Sequence, residues 1–400
     1  MTNRLIALLQ HHASLLILAA FSASYFVAMI AARKILGPDD LYFWNALVTL
    51  VAICFTFCFF GSEQLFLRYS TVMEAGRVRI NRATLYLMVG ALILFTALLT
   101  TLSEIYFFQL GNIAIYPVLV LSIGLFVFVY NFLRLLRSFS AAQIAANGWK
   151  FSILIGVLLT PMGDAPGIIV AGLGVASVGA LVLFARRRTA LEISSDTMPD
   201  QWLTLFLGFL LSLFVLMLLS NADRLIMTRY GSKALFSEYV YLVTLLLLPF
   251  SLMSNYLGFK ELAYLKQSFE RGAFLRKTLR VGAFAAVLFM PWFTLIYAAQ
   301  SLLEVPVHIG YALPCLVIVA SRCAYALMST LFGLNGMASQ IHAANFLTLL
   351  AIGVAMVGLL VIGVTITSVL ILLAIFWCAR LAIYAWYTSR ISEYRTRHAL

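Results

Sequence analysis

Residues 33–68 read RKILGPDDLYFWNALVTLVAICFTFCFFGSEQLFLR, and a shortened version, TRYGSKALFSEYVYLVTLLLLPF, returns at 228–250. Sliding the chain by about 195 residues lays NALVTLVAICF (45–55) on VYLVTLLLLPF (240–250), with LVTL and the final Phe identical. The surroundings agree with the offset. In each copy a hydrophobic helix ends in cations (Arg33 and Lys34; Arg229), a turn carrying Gly37 or Gly231 follows, and a second hydrophobic helix opens with aromatics (Tyr42 and Trp44; Tyr239 and Tyr241). The repeat predicts two halves of one plan, residues 1–200 and 201–400.

Composition identifies the solvent around those halves. With 63% hydrophobic residues, 10% charged residues and a mean hydropathy of +1.01, the chain cannot cover a globular core with polar surface. It reads as a polytopic membrane protein. Apolar runs of about 20 residues, enough to cross a hydrocarbon core of ~30 Å as a helix, occur about twelve times. They lie near 14–33, 41–60, 83–103, 113–133, 140–161, 166–185, 202–222, 236–258, 281–301, 309–332, 341–362 and 366–388. Without water to satisfy exposed backbone, each run must be a helix, so the fold class is all-α.

The 27 Lys and Arg set the orientation, because short basic loops stay in the cytoplasm. Even-numbered connections carry Arg68, Arg77, Arg79 and Arg82, then Arg134 and Arg137, then Arg186 to Arg188, then Lys260, Lys266, Arg271, Arg276, Lys277 and Arg280. Odd-numbered ones hold only Arg33, Lys34, Arg224, Arg229 and Lys233. Both termini are therefore expected in the cytoplasm, and the +12 net charge reflects a basic inner surface facing anionic lipid rather than nucleic acid. The first apolar run is too long for a secretory signal and is followed at once by Arg33 and Lys34. The five cysteines lie inside apolar runs without metal-ligand spacing, so no metal site, disulfide or cofactor is expected.

Every connection is short. Segments 61–82 and 259–280 occupy matching places in the two halves and mix Phe and Leu with Arg and Lys, which predicts short interfacial helices or plain basic anchoring. RRRTALEISSDTMPD (186–200) is the one polar linker and the expected boundary between lobes. An even number of helices per lobe makes the two lobes enter the membrane in the same orientation, related by an axis along its normal.

Ionisable residues inside the spans point to chemistry, since a charge there costs about 2.5–3.5 kcal/mol on insertion scales. Lys150, Arg322 and Arg380 qualify, and Arg322 sits near the middle of IGYALPCLVIVASRCAYALMSTLFG. No acidic residue lies near a span centre; Asp223 and Glu238 flank the outer ends of the seventh and eighth spans. Three cations without an internal counter-ion predict a hydrated cavity for an anionic ligand. The bland alternative for each is a structural tie to helix-end carbonyls or neighbouring Asn and Ser. Arg33, Lys34 and Arg229 are candidates for a cavity mouth or for snorkelling to outer head groups.

LGPDDLYFW (36–44), followed by a helix and GSEQLFLRYS (61–70), resembles the first helical hairpin of the Wzx-like polysaccharide flippases. These belong to the MOP exporter superfamily, with the MATE drug exporters and the peptidoglycan lipid flippases. NADRLIMTRYGSKALFSEYVY (221–241) is similar to that family's seventh-to-eighth helix signature. The resemblance implies two six-helix lobes that alternately open a cationic cavity to each side of the bacterial inner membrane. It implies an undecaprenyl-diphosphate-linked oligosaccharide as substrate, with a glycan polymerase or export machinery as partner. Arg322 and Lys150 would meet the diphosphate, with Arg380 as a third cation, and Tyr25, Trp44, Asn45, Asn255 or Tyr325 the sugar. Two other classes are weighed against this one. A MATE-type cation antiporter needs a membrane-embedded carboxylate. A membrane enzyme needs an acid, base or nucleophile constellation, which the scattered His11, His12, His308, His342 and His398 do not supply. Cysteine labelling from outside is expected to reach positions Gly111 and Asp164 but not Ser194 or Gly272.

Overall fold

The computed structural model describes residues 2–73, 77–159, 165–195, 198, 200–265 and 268–395; Asp164 and Lys266 lie outside them. In chain order the elements are α1 (Thr2–Ile35), α2 (Pro38–Phe57), α3 (Ser62–Tyr69), β1 (Thr71–Val72), β2 (Val78–Asn81), α4 (Arg82–Leu102), α5 (Ile115–Leu135), α6 (Phe139–Leu159), α7 (Ala165–Ala185) and β3 (Leu191–Ser194). There follow α8 (Trp202–Tyr230), α9 (Lys233–Leu265), β4 (Ser268–Phe269), α10 (Arg271–Ala298), α11 (Gln300–Leu303), α12 (Ala312–Asn335), α13 (Ala338–Ile362), α14 (Ile366–Thr388) and β5 (Tyr394–Arg395). Twelve helices among the described residues are long and apolar enough to cross a membrane. The fold is therefore an all-α polytopic one.

Local chemistry places the helix starts. α2 opens on Gly37 in an extended conformation with Pro38 in the first turn, and Asp39 and Asp40 sit where the helix dipole favours negative charge. The Asn81 side chain caps α4 by accepting from the Ala83 amide, and Thr365 caps α14 by accepting from Ser368.

The chain divides into two compact units, Met1–Met217 and Leu218–Leu400, so the division falls inside α8 rather than in the polar linker before it. The repeated stretch forms the centre of each. α2 and α9 are the most buried spanning helices, with Trp44, Leu47, Val48 and Leu50 in one and Val240, Tyr241, Leu242 and Leu245 in the other almost fully enclosed. Each also sends a tyrosine to the segment that follows its unit's third spanning helix: Tyr42 donates to the Phe108 carbonyl at 2.9 Å and Tyr241 to the Leu303 carbonyl at 3.1 Å.

Three sequence expectations need correction. The seventh span runs to Tyr230 and the ninth starts at Arg271 instead of 281, because a helix continues through charged turns that an apolar window rejects. Among the described residues the segment 259–280 holds no separate interfacial helix; α9 extends to Leu265 and α10 begins at Arg271, while 61–82 supplies the short α3 and then strands. The linker after α7 is not free either. β3 pairs in parallel with β2, from Val78 opposite Leu191 to Asn81 opposite Ser194, and β1 joins the other edge of β2 antiparallel. In the second unit β4 pairs with β5, Phe269 opposite Tyr394. In both units, then, the segment after the sixth spanning helix adds a strand to the loop between the second and third.

Candidate functional site

Arg322 stands mid-way along α12, which packs against α9, α10 and α14. Its residue is half-buried, and the guanidinium carbon lies 5.1 Å from the centre of the Trp377 ring on α14, within cation–π range. Among the described residues no carboxylate lies in ion-pair range of it and no hydrogen bond to its side chain is formed. The nearest charges acting on it come from Asp223 and Arg224 of α8, one of each sign. A permanently charged, fork-shaped donor therefore sits in an apolar helix with its donors unused, the arrangement that suits a phosphate-bearing ligand.

Asp223 corrects the sequence picture. Because α8 continues to Tyr230, this carboxylate lies within the helix, two turns from its end, and is 3% exposed. One oxygen accepts from the Tyr239 hydroxyl of α9 at 2.6 Å; the other, Oδ1, has no partner, nor has the buried Nε of Arg224. The spans do contain an acid, missed because the Asp-Arg pair ended the apolar run. Glu238 likewise lies inside α9.

Arg380 does not face a cavity. At 2% exposure its guanidinium bonds Asn345 Oδ1 at 3.0 Å and Thr348 Oγ1 at 2.8 Å on α13, Tyr384 Oη at 2.6 Å on α14, and at longer range Tyr325 Oη (3.4 Å) on α12. It also lies 4.3 Å from the centre of the Tyr384 ring. Every nitrogen is engaged, so Arg380 ties three helices of the second unit together. Tyr325, expected at a sugar, is part of that tie and 8% exposed.

Lys150 is on α6 and half-buried. Its Nζ donates to Asn147 Oδ1 at 2.7 Å, and the Asn147 amide donates back to Gln143 Oε1 at 3.0 Å, so one face of α6 carries a polar ladder. Neighbouring Trp149 is enclosed between Tyr25, edge-on at 5.8 Å, and Phe55, stacked at 6.1 Å. Tyr25 is thus a packing residue. So are Trp44 and Asn45, both 0% exposed, with Trp44 Nε1 donating to Met29 Sδ at 3.1 Å. These three leave the set of sugar contacts because each is enclosed, Tyr25 on α1 and Trp44 and Asn45 on α2. Asn255 remains exposed on α9, as do Lys34 at the end of α1 and Arg229 at the end of α8; Arg33 is half-buried.

Neither a protein-family model nor a curated protein sequence matches the chain. A solved structure does. The lipid II flippase MurJ in its inward closed conformation aligns with a TM-score of 0.60 over 94% of this chain and 87% of its own length, at 13% sequence identity. At that identity the likeness speaks for the fold and leaves the cargo open. With twelve spanning helices and a likeness that runs nearly end to end, the chain carries the all-α polytopic fold of MurJ.

Proposed function

We propose that the chain is a flippase that carries an undecaprenyl-diphosphate-linked oligosaccharide across the bacterial inner membrane by alternating access. The observation that carries the reading is Arg322: a guanidinium in mid-span, without a hydrogen-bond or ion-pair partner among the described residues, on a fold shared with a lipid II flippase. A diphosphate must cross a low-dielectric slab, and a fixed arginine fork offsets its desolvation where it stands. In the first unit, taken by itself, Lys150 is a second candidate for an anionic group, with its ammonium held in place by Asn147. Arg33 and Lys34 in the first unit and Arg229 in the second end helices and stay candidates for anionic groups at the membrane face, and Asn255 is the remaining candidate for a sugar hydroxyl. Depleting the protein should leave the lipid-linked oligosaccharide on the cytoplasmic leaflet, where externally added glycosidase cannot reach it. Unchanged exposure of the glycan on the outer leaflet would sink the reading.

Asp223 favours a second reading, a MATE-like cation antiporter, because it supplies the embedded carboxylate such a protein needs. The carboxylate is already bonded to Tyr239 and stands beside Arg224, which argues against a cation there. Efflux of a cationic dye that depends on Asp223 would decide for the antiporter.

Orientation follows from the loop charges, with both termini and the three-stranded sheet on the cytoplasmic side. In a single-cysteine series, an impermeant maleimide added outside should modify Gly111→Cys and spare Ser194→Cys and Gly272→Cys. Modification at Ser194, which sits in β3, would invert the topology.

A further inference from the structure

At the basic end of the first unit, the chain reverses after α2 on Gly61, whose φ of 87° lies in the left-handed region. A Cβ there would stand 3.0 Å from the Phe209 backbone of α8, so the turn is pressed against that helix and aims the start of α3 inward. The second residue of α3 is Glu63. It is 8% exposed; Oε1 receives the Gln64 amide at 3.4 Å, while Oε2 is buried with no hydrogen-bond partner. Glu63 borders a cavity of about 350 Å3 whose lining also includes Tyr130, Asn131 and Arg134 of α5.

We propose that Glu63 is a proton-binding site: with the cavity closed it is the neutral acid, and when its proton leaves to solvent water the carboxylate is met by Arg134, drawing α3 toward α5. An ionised carboxylate is costly where one oxygen has neither water nor a donor, whereas a neutral acid tolerates that position. Burial pushes the carboxyl up to about 7, and the amides of Glu63, Gln64 and Gly61 offset only part of the effect. The other groups around it are accounted for. Tyr130 and Arg134 face the cavity from α5 and Cys58 from the end of α2; α6 and α8 contribute Ala146, Leu213 and Leu216. Of the cations on the remaining neighbours of α3, Arg79 of β2 is paired with Glu192 at 2.8 Å and Arg82 of α4 is bonded to the Tyr86 hydroxyl at 2.7 Å. Arg134 forms no ion pair among the described residues. Among the described residues that line the cavity, Arg134 is the one cation. The inference does not rest on what the protein carries, only on this cavity.

Infrared titration of the purified protein tests it directly. A protonated-carboxyl band should disappear with a midpoint near 7 and be missing from Glu63→Gln. Arg134→Gln removes the charge that is proposed to meet the carboxylate, so the midpoint of the unchanged Glu63 should rise. That second variant decides the matter even if Glu63→Gln inserts poorly. A titration confined to the ordinary carboxylate range of about 4–5, a band that persists in Glu63→Gln, or a midpoint indifferent to Arg134 would each overturn the proposal.

Discussion

Arg322→Ala is expected to abolish export of the lipid-linked glycan while the protein remains abundant and inserted. Deleting a mid-span charge relieves an insertion cost of about 2.5–3.5 kcal/mol, and the contact that is lost, the face of Trp377, contributes only about 0.5–2 kcal/mol. Insertion therefore has no reason to suffer. Arg322→Lys should keep part of the activity, since it preserves the charge but not the planar pair of donors that fits two phosphate oxygens. Arg322→Glu should transport less than the Ala variant because it would repel the proposed diphosphate. Export per inserted molecule separates this account from a purely structural one, in which the Ala variant transports normally. Normal export by that variant would remove Arg322 from the site.

Arg380 should behave in the opposite way. Its side chain fills the space between α12, α13 and α14 and saturates Asn345, Thr348 and Tyr384. Arg380→Ala leaves a void and three buried polar partners short of a donor, a loss on the order of 3–5 kcal/mol. Inserted protein should fall steeply and its thermal midpoint in detergent should drop, while the molecules that survive export at close to the normal rate. Arg380→Lys should be intermediate, because one ammonium cannot reach both α13 and Tyr384 in the same geometry. An Ala variant of normal abundance that fails to export would return Arg380 to the substrate.

Comparing the two arginines shows what sequence discloses. Hydropathy finds both in spans and makes them look equivalent. The difference lies in neighbours on the preceding helix and on Arg380's own: Asn345 and Thr348 share a face of α13 by their spacing of three, and Tyr384 follows Arg380 by one turn, signals that were present but meant nothing until α13 was packed on α14. The repeated stretch was legible because a twice-used buried helix preserves its pattern, LVTL in both α2 and α9. Asp223 was hidden by its own charge, which truncates an apolar window while the helix runs on to Tyr230. Trp44 and Asn45 were misplaced for a related reason: hydropathy ranks a residue without saying which way it points, and both point into the unit. The strands could not be read at all, since two to four residues carry no periodicity.

Those strands act like a hoop on a cask. In the first unit β3 fastens the exit of α7 to the loop that joins α3 to α4, and in the second β5 fastens the exit of α14 to the loop that joins α9 to α10. Staves hooped at one rim can spread only at the other. Within each bundle, separating the joined segments at that end would first have to break the strand hydrogen bonds.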